Sequence, residues 1–298
     1  MMVGLPGSGK TYIANRYYGD CAIHSSDQIR AELYGDASCQ ENNEKVFRIL
    51  HSRIKEDLKN GKDVVYDATN IKKRRRADFL RELRNIPCIK QCCVVMTPYE
   101  KCLENNQMRE RKVPEEVIRR MYLNWEPPHW HEGFDFIDTF FNRITNDEIN
   151  AHYNFEKFIS DYADYDQGTP YHNLMLGEHC RRTAMKIAEE IKWADLNIMF
   201  AGAIHDCGKP FTRTESDGCA HYYQHHCVSA YLSLFYTYGF FGNVEYETDI
   251  ANLIYFHMHP FRQWKDSKKA EHRDIQMIGE HMYNRIMILH KADANAHD

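Results

Sequence analysis

The octapeptide GLPGSGKT at residues 4–11 restricts this chain more than any other stretch. Its spacing, Gly4-x4-Gly9-Lys10-Thr11, is that of a phosphate-binding loop, which works only between a buried strand and a helix N-terminus. Glycine lets backbone amides wrap phosphate oxygens, so Gly4, Gly7, Ser8 and Gly9 are expected against the phosphates of a bound NTP. Lys10 would neutralise the β and γ oxygens, and the Thr11 hydroxyl would ligate Mg²⁺. With glycine at about 7% of residues, chance produces this spacing in about one chain in a hundred. Here an apolar start precedes it and a helical pattern follows. ATP is therefore the expected ligand. Only Met1–Val3 is left for the strand before the loop, so either that strand is very short or the true N-terminus lies upstream. The loop also leaves no room for a secretory signal.

Length and composition set the frame. A chain of 298 residues suggests about two domains. The longest apolar run, residues 196–204, is far short of the roughly 18 residues a membrane span needs, and no membrane partner is expected. Ten cysteines without a CxxC pair indicate reduced thiols and a cytoplasmic protein rather than a disulfide framework. Cys207 is read as filling a small apolar slot. A net charge of −5 argues against nonspecific clinging to nucleic acid but permits a local basic groove.

The two halves of the chain differ in pattern. Residues 1–150 alternate short apolar runs, VVYDATN and CCVVMTP, with amphipathic segments, which predicts parallel strands joined by helices. The run FDFIDTFFNRI, residues 134–144, reads as the closing strand. Residues 168–298 read as all-α, and residues 151–167 as the junction. The expected fold is an α/β P-loop domain followed by an all-α domain.

Beyond the loop, HSSDQIRAEL pairs Ser25 with Gln28 as a capping box and sets Asp27 and Arg30 three apart on one helix face. A carboxylate near the γ-phosphate can take the proton of an attacking hydroxyl, and an arginine beside it can clamp an anion. Asp67 ends a buried strand, where a second Mg²⁺-supporting acid belongs. The helix after it opens NIKKRRR; cations in a first turn oppose the helix dipole, and gripping a phosphodiester backbone is one reason to keep them. Arg109 and Arg111 precede a Pro-started helix, as in a lid that closes on a triphosphate.

GxxGSGK[ST], SxDxxR, DATN and a lid arginine followed by VP together resemble the P-loop polynucleotide 5′-kinases, over residues 1–145. The resemblance implies that Asp27 is the general base, that Arg30 contacts the phosphate 3′ to the acceptor nucleoside, and that Arg109, with Arg111, holds the donor phosphates. One departure is Asn105, where the family tends to carry a further lid arginine.

In the second half, His179, the pair His205-Asp206, and Asp293 fall on separate expected helices. The runs HDCGKPFTRT and HYYQHHCVSA resemble the HD phosphohydrolases, in particular the HD domain appended to bacterial tRNA nucleotidyltransferases, over residues 168–298. The resemblance adds His225 and His257 as ligands, sets His226 where the family has glutamate, and places Lys209 near substrate phosphate. Imidazoles and carboxylates suit Mn²⁺, Ni²⁺, Co²⁺, Fe or Zn²⁺, one or two ions. His259 and His172 are taken as surface or structural histidines. DYDQGT, residues 164–169, has the look of a phosphatase nucleophile motif but carries an extra residue and lacks its strand; Thr169 with Pro170 reads instead as a helix start.

The two modules together imply a bifunctional end-healing enzyme. A kinase would phosphorylate a 5′-OH of RNA or DNA, and a metallophosphoesterase would clear the 3′-phosphate or 2′,3′-cyclic phosphate, with a ligase as a possible partner. The rival is a small-molecule or nucleoside kinase fused to an HD nucleotidase. The complete sets Lys10/Thr11/Asp27 and His179/His205/Asp206/Asp293 argue against a regulator with dead sites.

Overall fold

The computed structural model of the chain describes residues 1–39, 41–169, 173–192, 195–239 and 244–296. It divides into two compact units: Met1–Met121 with Glu132–Ile144, and Tyr122–His131 with Thr145–Asp298.

The first unit alternates strands and helices as expected. In chain order these are β1 (Met2–Val3), α1 (Lys10–Tyr17), β2 (Ala22–Ser25), α2 (Ser26–Tyr34), α3 (Asn43–Lys59), β3 (Val64–Asp67), α4 (Lys73–Glu82), β4 (Gln91–Met96), α5 (Tyr99–Gln107), α6 (Glu115–Tyr122) and β5 (Phe136–Phe141). All pairings are parallel: β1 and β5 flank β4, with Val3 opposite Val94, while β2 pairs with β3, Ser25 opposite Asp67. With only two residues, β1 cannot carry a full ladder on both edges. The Gly4 N–H bonds the Thr69 carbonyl (3.0 Å) and Asn70 Nδ2 bonds the Met2 carbonyl (2.8 Å), tying its end to the segment after β3. Parallel register brings the C-terminal ends of β1, β2 and β3 to one edge, where the loop at Gly4, the first turn of α2 with Asp27, and Asp67 at the end of β3 converge. Ile29, Val46, Leu50, Ile54, Tyr66 and Phe79 pack together beneath.

Two local expectations change. Ser25 does cap α2, but its Oγ accepts from the Asp27 N–H (3.2 Å), one residue short of the N–H a reciprocal box with Gln28 would use. The basic first turn of α4 is also divided. Arg74 and Arg75 are exposed, whereas Arg76 is buried and donates twice to Glu132, at 2.7 and 2.8 Å, and once to the Asn70 carbonyl at 2.9 Å. Neither side chain of that pair meets solvent, so Arg76 serves the core and is withdrawn from any role in gripping a backbone. Arg76→Met takes both of these donors from the buried Glu132 carboxylate and is expected to destabilise the protein by about 3–5 kcal/mol in denaturant unfolding. A double exchange to Met and Leu should recover most of that loss.

The second unit is rich in helices: α7 (Asn146–His152), α8 (Phe155–Asp161), α9 (Leu176–Ile191), α10 (Leu196–Ile204), α11 (Lys209–Thr212), α12 (His225–Thr237), α13 (Val244–Phe256), α14 (Gln263–Asp266) and α15 (Lys268–Ala294), the last broken at Gly279. α10 is apolar nearly all round, as a helix enclosed by others must be. The unit is not all-α. A hairpin, β6 (Thr214–Ser216) with β7 (Cys219–His221), turns through Asp217 and Gly218, both at positive φ (54° and 75°). Asp-Gly is the sequence signal for such a turn, but three-residue strands are too short to show alternation.

The expected boundaries shift as well. Residues 151–167 lie inside the second unit, where the Leu176 and Gly177 N–H groups bond the Tyr165 and Tyr162 carbonyls (both 3.0 Å). Tyr122–His131 also groups there, because Tyr122 and Trp125 set their rings edge-on to Tyr231 and Asn252 donates to the Pro128 carbonyl. α9 starts at Leu176, N-capped by Met175, so Thr169 does not begin it. Pro170 and His172 lie outside the described residues.

Glu247 on α13 is buried, and burial pushes its carboxyl up to about 7 against a weak bond from the Gly239 N–H. A raised carboxyl favours the folded state while it is protonated. Its contribution is therefore complete below the ordinary value of 4.5 and is lost as pH rises to about 7. Unfolding at pH 5 and pH 8 should differ by roughly 1–3 kcal/mol from this group, and Glu247→Gln should remove that part of the difference.

Candidate active sites

The first site lies at the strand edge of the first unit. Gly7 sits at φ 81°, and a Cβ there would strike the Cys102 carbonyl, so only glycine fits. The Lys10 ammonium donates to the Leu5 carbonyl across the loop at 2.8 Å. Burial lowers the pKa of Lys10, and Asp67 opposes that. Thr11 Oγ1 donates to Asp67 Oδ2 at 2.8 Å, bringing together the hydroxyl and the carboxylate named as Mg²⁺ supports. Three residues that sequence reasoning did not place brace the loop from behind. Asn105 Nδ2 donates to the Gly7 carbonyl, and Thr97 Oγ1 and Asn142 Nδ2 donate to the Ser8 carbonyl, each at 2.8 Å. Asn105, conspicuous as a missing arginine, is thus a support for the loop backbone. Thr97 and Asn142 stand just past the ends of β4 and β5, a placement that could have flagged them.

Asp27 and Arg30 come together as predicted. Arg30 Nη1 donates to Asp27 Oδ1 at 2.9 Å and its Nη2 to Asn43 Oδ1 at 2.8 Å, so the guanidinium is fixed. Arg111 takes the other carboxylate oxygen at 2.6 Å. The surrounding cavity, about 1160 Å³, is lined by these residues, by Gly7, Gly9 and Arg109, and by Arg143. Cations outnumber its two carboxylates, Asp27 and Asp67, which suits a polyanion flanked by a proton acceptor. Arg143, at positive φ (60°) after β5, carried no sequence signal.

The second site is a buried cluster in the second unit. His179 comes from α9, His205 and Asp206 from the end of α10, His225 from the first turn of α12, His257 from the end of α13, and Asp293 from the last turn of α15. All six predicted ligands are buried and converge. Asp206 divides them: its Oδ2 faces His205 and His179 Nε2 at 3.4 and 3.6 Å, and its Oδ1 faces His225 and His257 Nε2 at 3.1 and 3.8 Å. Asp293 Oδ1 closes the first side, 3.1 Å from His179 and 3.5 Å from His205.

Every imidazole is oriented the same way. Nδ1 of His179, His205, His225 and His257 lies against the carbonyls of Ala296, Gly202, Tyr222 and Ile254, at 3.3, 2.8, 2.7 and 2.5 Å. A carbonyl only accepts, so each Nδ1 is the donor and each Nε2 faces the interior of the cluster. Nε2 of His225 and His257 stand 3.3 Å apart beside a carboxylate oxygen. Nitrogens facing carboxylate oxygens in this way could hold a metal ion. Burial and the facing His205 and His225 push His257 down to about 3, keeping it neutral as a ligand must be. Burial works against the Asp206 charge, yet Lys209 and His205 hold its carboxyl well below the usual range. Among the described residues these form three overlapping sets that could hold a borderline divalent metal, two of them including Asp206.

Lys209 lies at the cluster as predicted, its ammonium 2.6 Å from Asp206 Oδ2. Cys207 is buried, and burial raises its thiol, as expected of a packing residue. His259 is not at the surface: it is buried in the turn after α13, where its N–H bonds the Phe256 carbonyl and its carbonyl takes the Trp264 N–H. His226 packs on the rings of Tyr255 and His259.

Comparison with known proteins bears on the first site. Residues 1–128 match the family AAA_33, an AAA domain. Over an aligned length of 169 residues the chain is 27% identical to L-seryl-tRNA(Sec) kinase of Methanococcus maripaludis, a match covering 52% of this chain and 66% of that protein. Loop geometry and both matches make the first unit a P-loop, kinase-like domain, for which ATP and Mg²⁺ are the implied ligands. The family match ends at residue 128, ahead of the histidine cluster. No described helix is long and apolar enough to cross a membrane.

Proposed function

We propose that this chain heals broken nucleic-acid ends, phosphorylating a 5′-OH at the first site and hydrolysing a 2′,3′-cyclic phosphate or 3′-phosphate at the second. The observation that carries this reading is the pairing, in one chain, of a kinase-like loop with a carboxylate set between two imidazole pairs. In the transfer step, Asp27 takes the proton as the acceptor oxygen bonds the γ-phosphorus, and ADP leaves. Arg30 holds the acceptor's phosphate, while Lys10, Arg109 and Arg111 hold those of the donor.

At the second site His179, His205 and Asp293 would hold one divalent ion and His225 and His257 another, with Asp206 between them. Such ions supply an activated water and polarise a phosphate ester. Lys209 offers its ammonium to a phosphate oxygen. The two reactions act at opposite ends of a break, so their fusion is not a futile cycle.

A second reading takes support from the seryl-tRNA kinase match: the acceptor hydroxyl is then not a polynucleotide 5′-OH, and the second site serves as a nucleotidase. One assay separates the two. Radiolabelled ATP, Mg²⁺ and Mn²⁺ are supplied with an RNA oligonucleotide bearing a 5′-OH and a 2′,3′-cyclic phosphate. Label at the 5′ end together with loss of the cyclic phosphate supports end healing. Label passing only to small hydroxyl acceptors or to seryl-tRNA overturns it.

A further inference from the structure

DYDQGT, set aside as a chance likeness, delivers a side chain to the second site. Gln167 is fully buried, and its Oε1 accepts from Lys209 Nζ at 2.6 Å, the same length as the ammonium's bond to Asp206 Oδ2. The face of Tyr222 lies 5.5 Å from that ammonium. Gln167 is itself held firmly. Its Nε2 donates to the Leu174 carbonyl at 3.0 Å, and its own carbonyl accepts from Tyr222 Oη at 2.6 Å. The loop around it is pinned to the β6–β7 hairpin: the Ala220 N–H bonds the Gly168 carbonyl at 2.9 Å, and Arg213 Nη1 bonds the Asp166 carbonyl at 2.7 Å. A lysine has a long, flexible stem, and two acceptors at 2.6 Å, one charged and one neutral, together fix where its ammonium stands.

We infer that Gln167 is a positioning residue of the metal site, holding the Lys209 ammonium at the shared carboxylate where a substrate phosphate oxygen meets it. The inference rests on the phosphohydrolase reading above. Gln167 acts on the site through its bond to Lys209.

The test is a double-mutant cycle on the full chain loaded with Mn²⁺, using Gln167→Met, Lys209→Met and both together. Two readouts are taken: hydrolysis of a 2′,3′-cyclic mononucleotide and calorimetric affinity for inorganic phosphate. Gln167→Met should lower kcat about 10- to 100-fold and weaken phosphate binding, with Mn²⁺ affinity little changed. In the Lys209→Met background the same exchange should do almost nothing, because two residues acting through one contact are not additive. Gln167→Glu, which keeps an acceptor at the same reach, should retain more of kcat than the Met variant. If Gln167→Met unfolds, Gln167→Asn withdraws the acceptor with less disturbance and takes its place in the cycle. Additive losses, or a Gln167 effect confined to melting temperature, overturn the inference and leave the phosphohydrolase reading standing. An unaltered protein that neither hydrolyses the cyclic ester nor binds phosphate overturns both.

Discussion

Asp206→Asn is expected to lower metal-dependent hydrolysis by at least about 100-fold, the upper end of losses seen when a mere supporter of a metal ligand is removed, while phosphoryl transfer is unchanged. Each oxygen of this carboxylate serves a different pair of imidazoles. The amide keeps one acceptor and turns the other oxygen into a donor that cannot hold a cation, so an ion held at Asp206 would lose an anionic ligand. Mn²⁺ titration by calorimetry should show weaker binding, separating loss of metal from loss of catalysis. A second effect accompanies it. Lys209 loses the anionic one of its two partners Asp206 and Gln167, and breaking a buried ion pair from one side costs about 3–5 kcal/mol. Asp206→Asn/Lys209→Met should therefore recover much of the stability and none of the hydrolysis. Hydrolysis that persists in Asp206→Asn would move the chemistry out of this cluster.

Asp27→Ala should lower kcat for transfer from ATP by about 10²- to 10⁴-fold, the range for one positioned proton acceptor. KM for ATP should change little, because Lys10, Thr11 and the loop amides keep their places. Asp27 also pairs with Arg111 across a partly exposed gap, and a pair of that exposure is worth about 1 kcal/mol or less to stability. The buried Arg30 guanidinium also loses this carboxylate, so the melting temperature of Asp27→Ala should fall, and Asp27→Asn, which still offers an acceptor, should keep more of it. Asp27→Asn distinguishes proton transfer from arginine anchoring: the amide still accepts from a guanidinium but takes no proton, so it should be as inactive as Ala. An Asn variant near full activity would leave Asp27 with the anchoring role only.

Residues whose chemistry depends on local spacing were legible in the chain. Gly4 to Thr11 act through one loop, Asp27 and Arg30 through one helical turn, and His205 and Asp206 through one helix end. Each is set by backbone geometry over a few residues, so composition and period carry the signal. Arg76 misled for the same reason: its neighbours in sequence are cations, but its partner Glu132 lies 56 residues on. The hairpin at residues 214–221 fell below the length at which alternation can be read.

By itself the sequence determined the phosphate loop and named the imidazoles and carboxylates that come together in the second unit, because each set demands particular residue types in a particular order. Tertiary structure alone decided how those residues divide the work. Only the convergence of α9, α10, α12, α13 and α15 makes Asp206 the carboxylate shared by four imidazoles. Only the path of the loop at residues 164–169 brings Gln167 to Lys209, 42 residues away. Only the register of β4 and β5 sets Thr97 and Asn142 behind the phosphate loop. The physical reason is common to all three. A hydrogen bond or ion pair depends on distances of about 3 Å, and side chains far apart in the chain reach that distance only when packing has fixed the backbones between them.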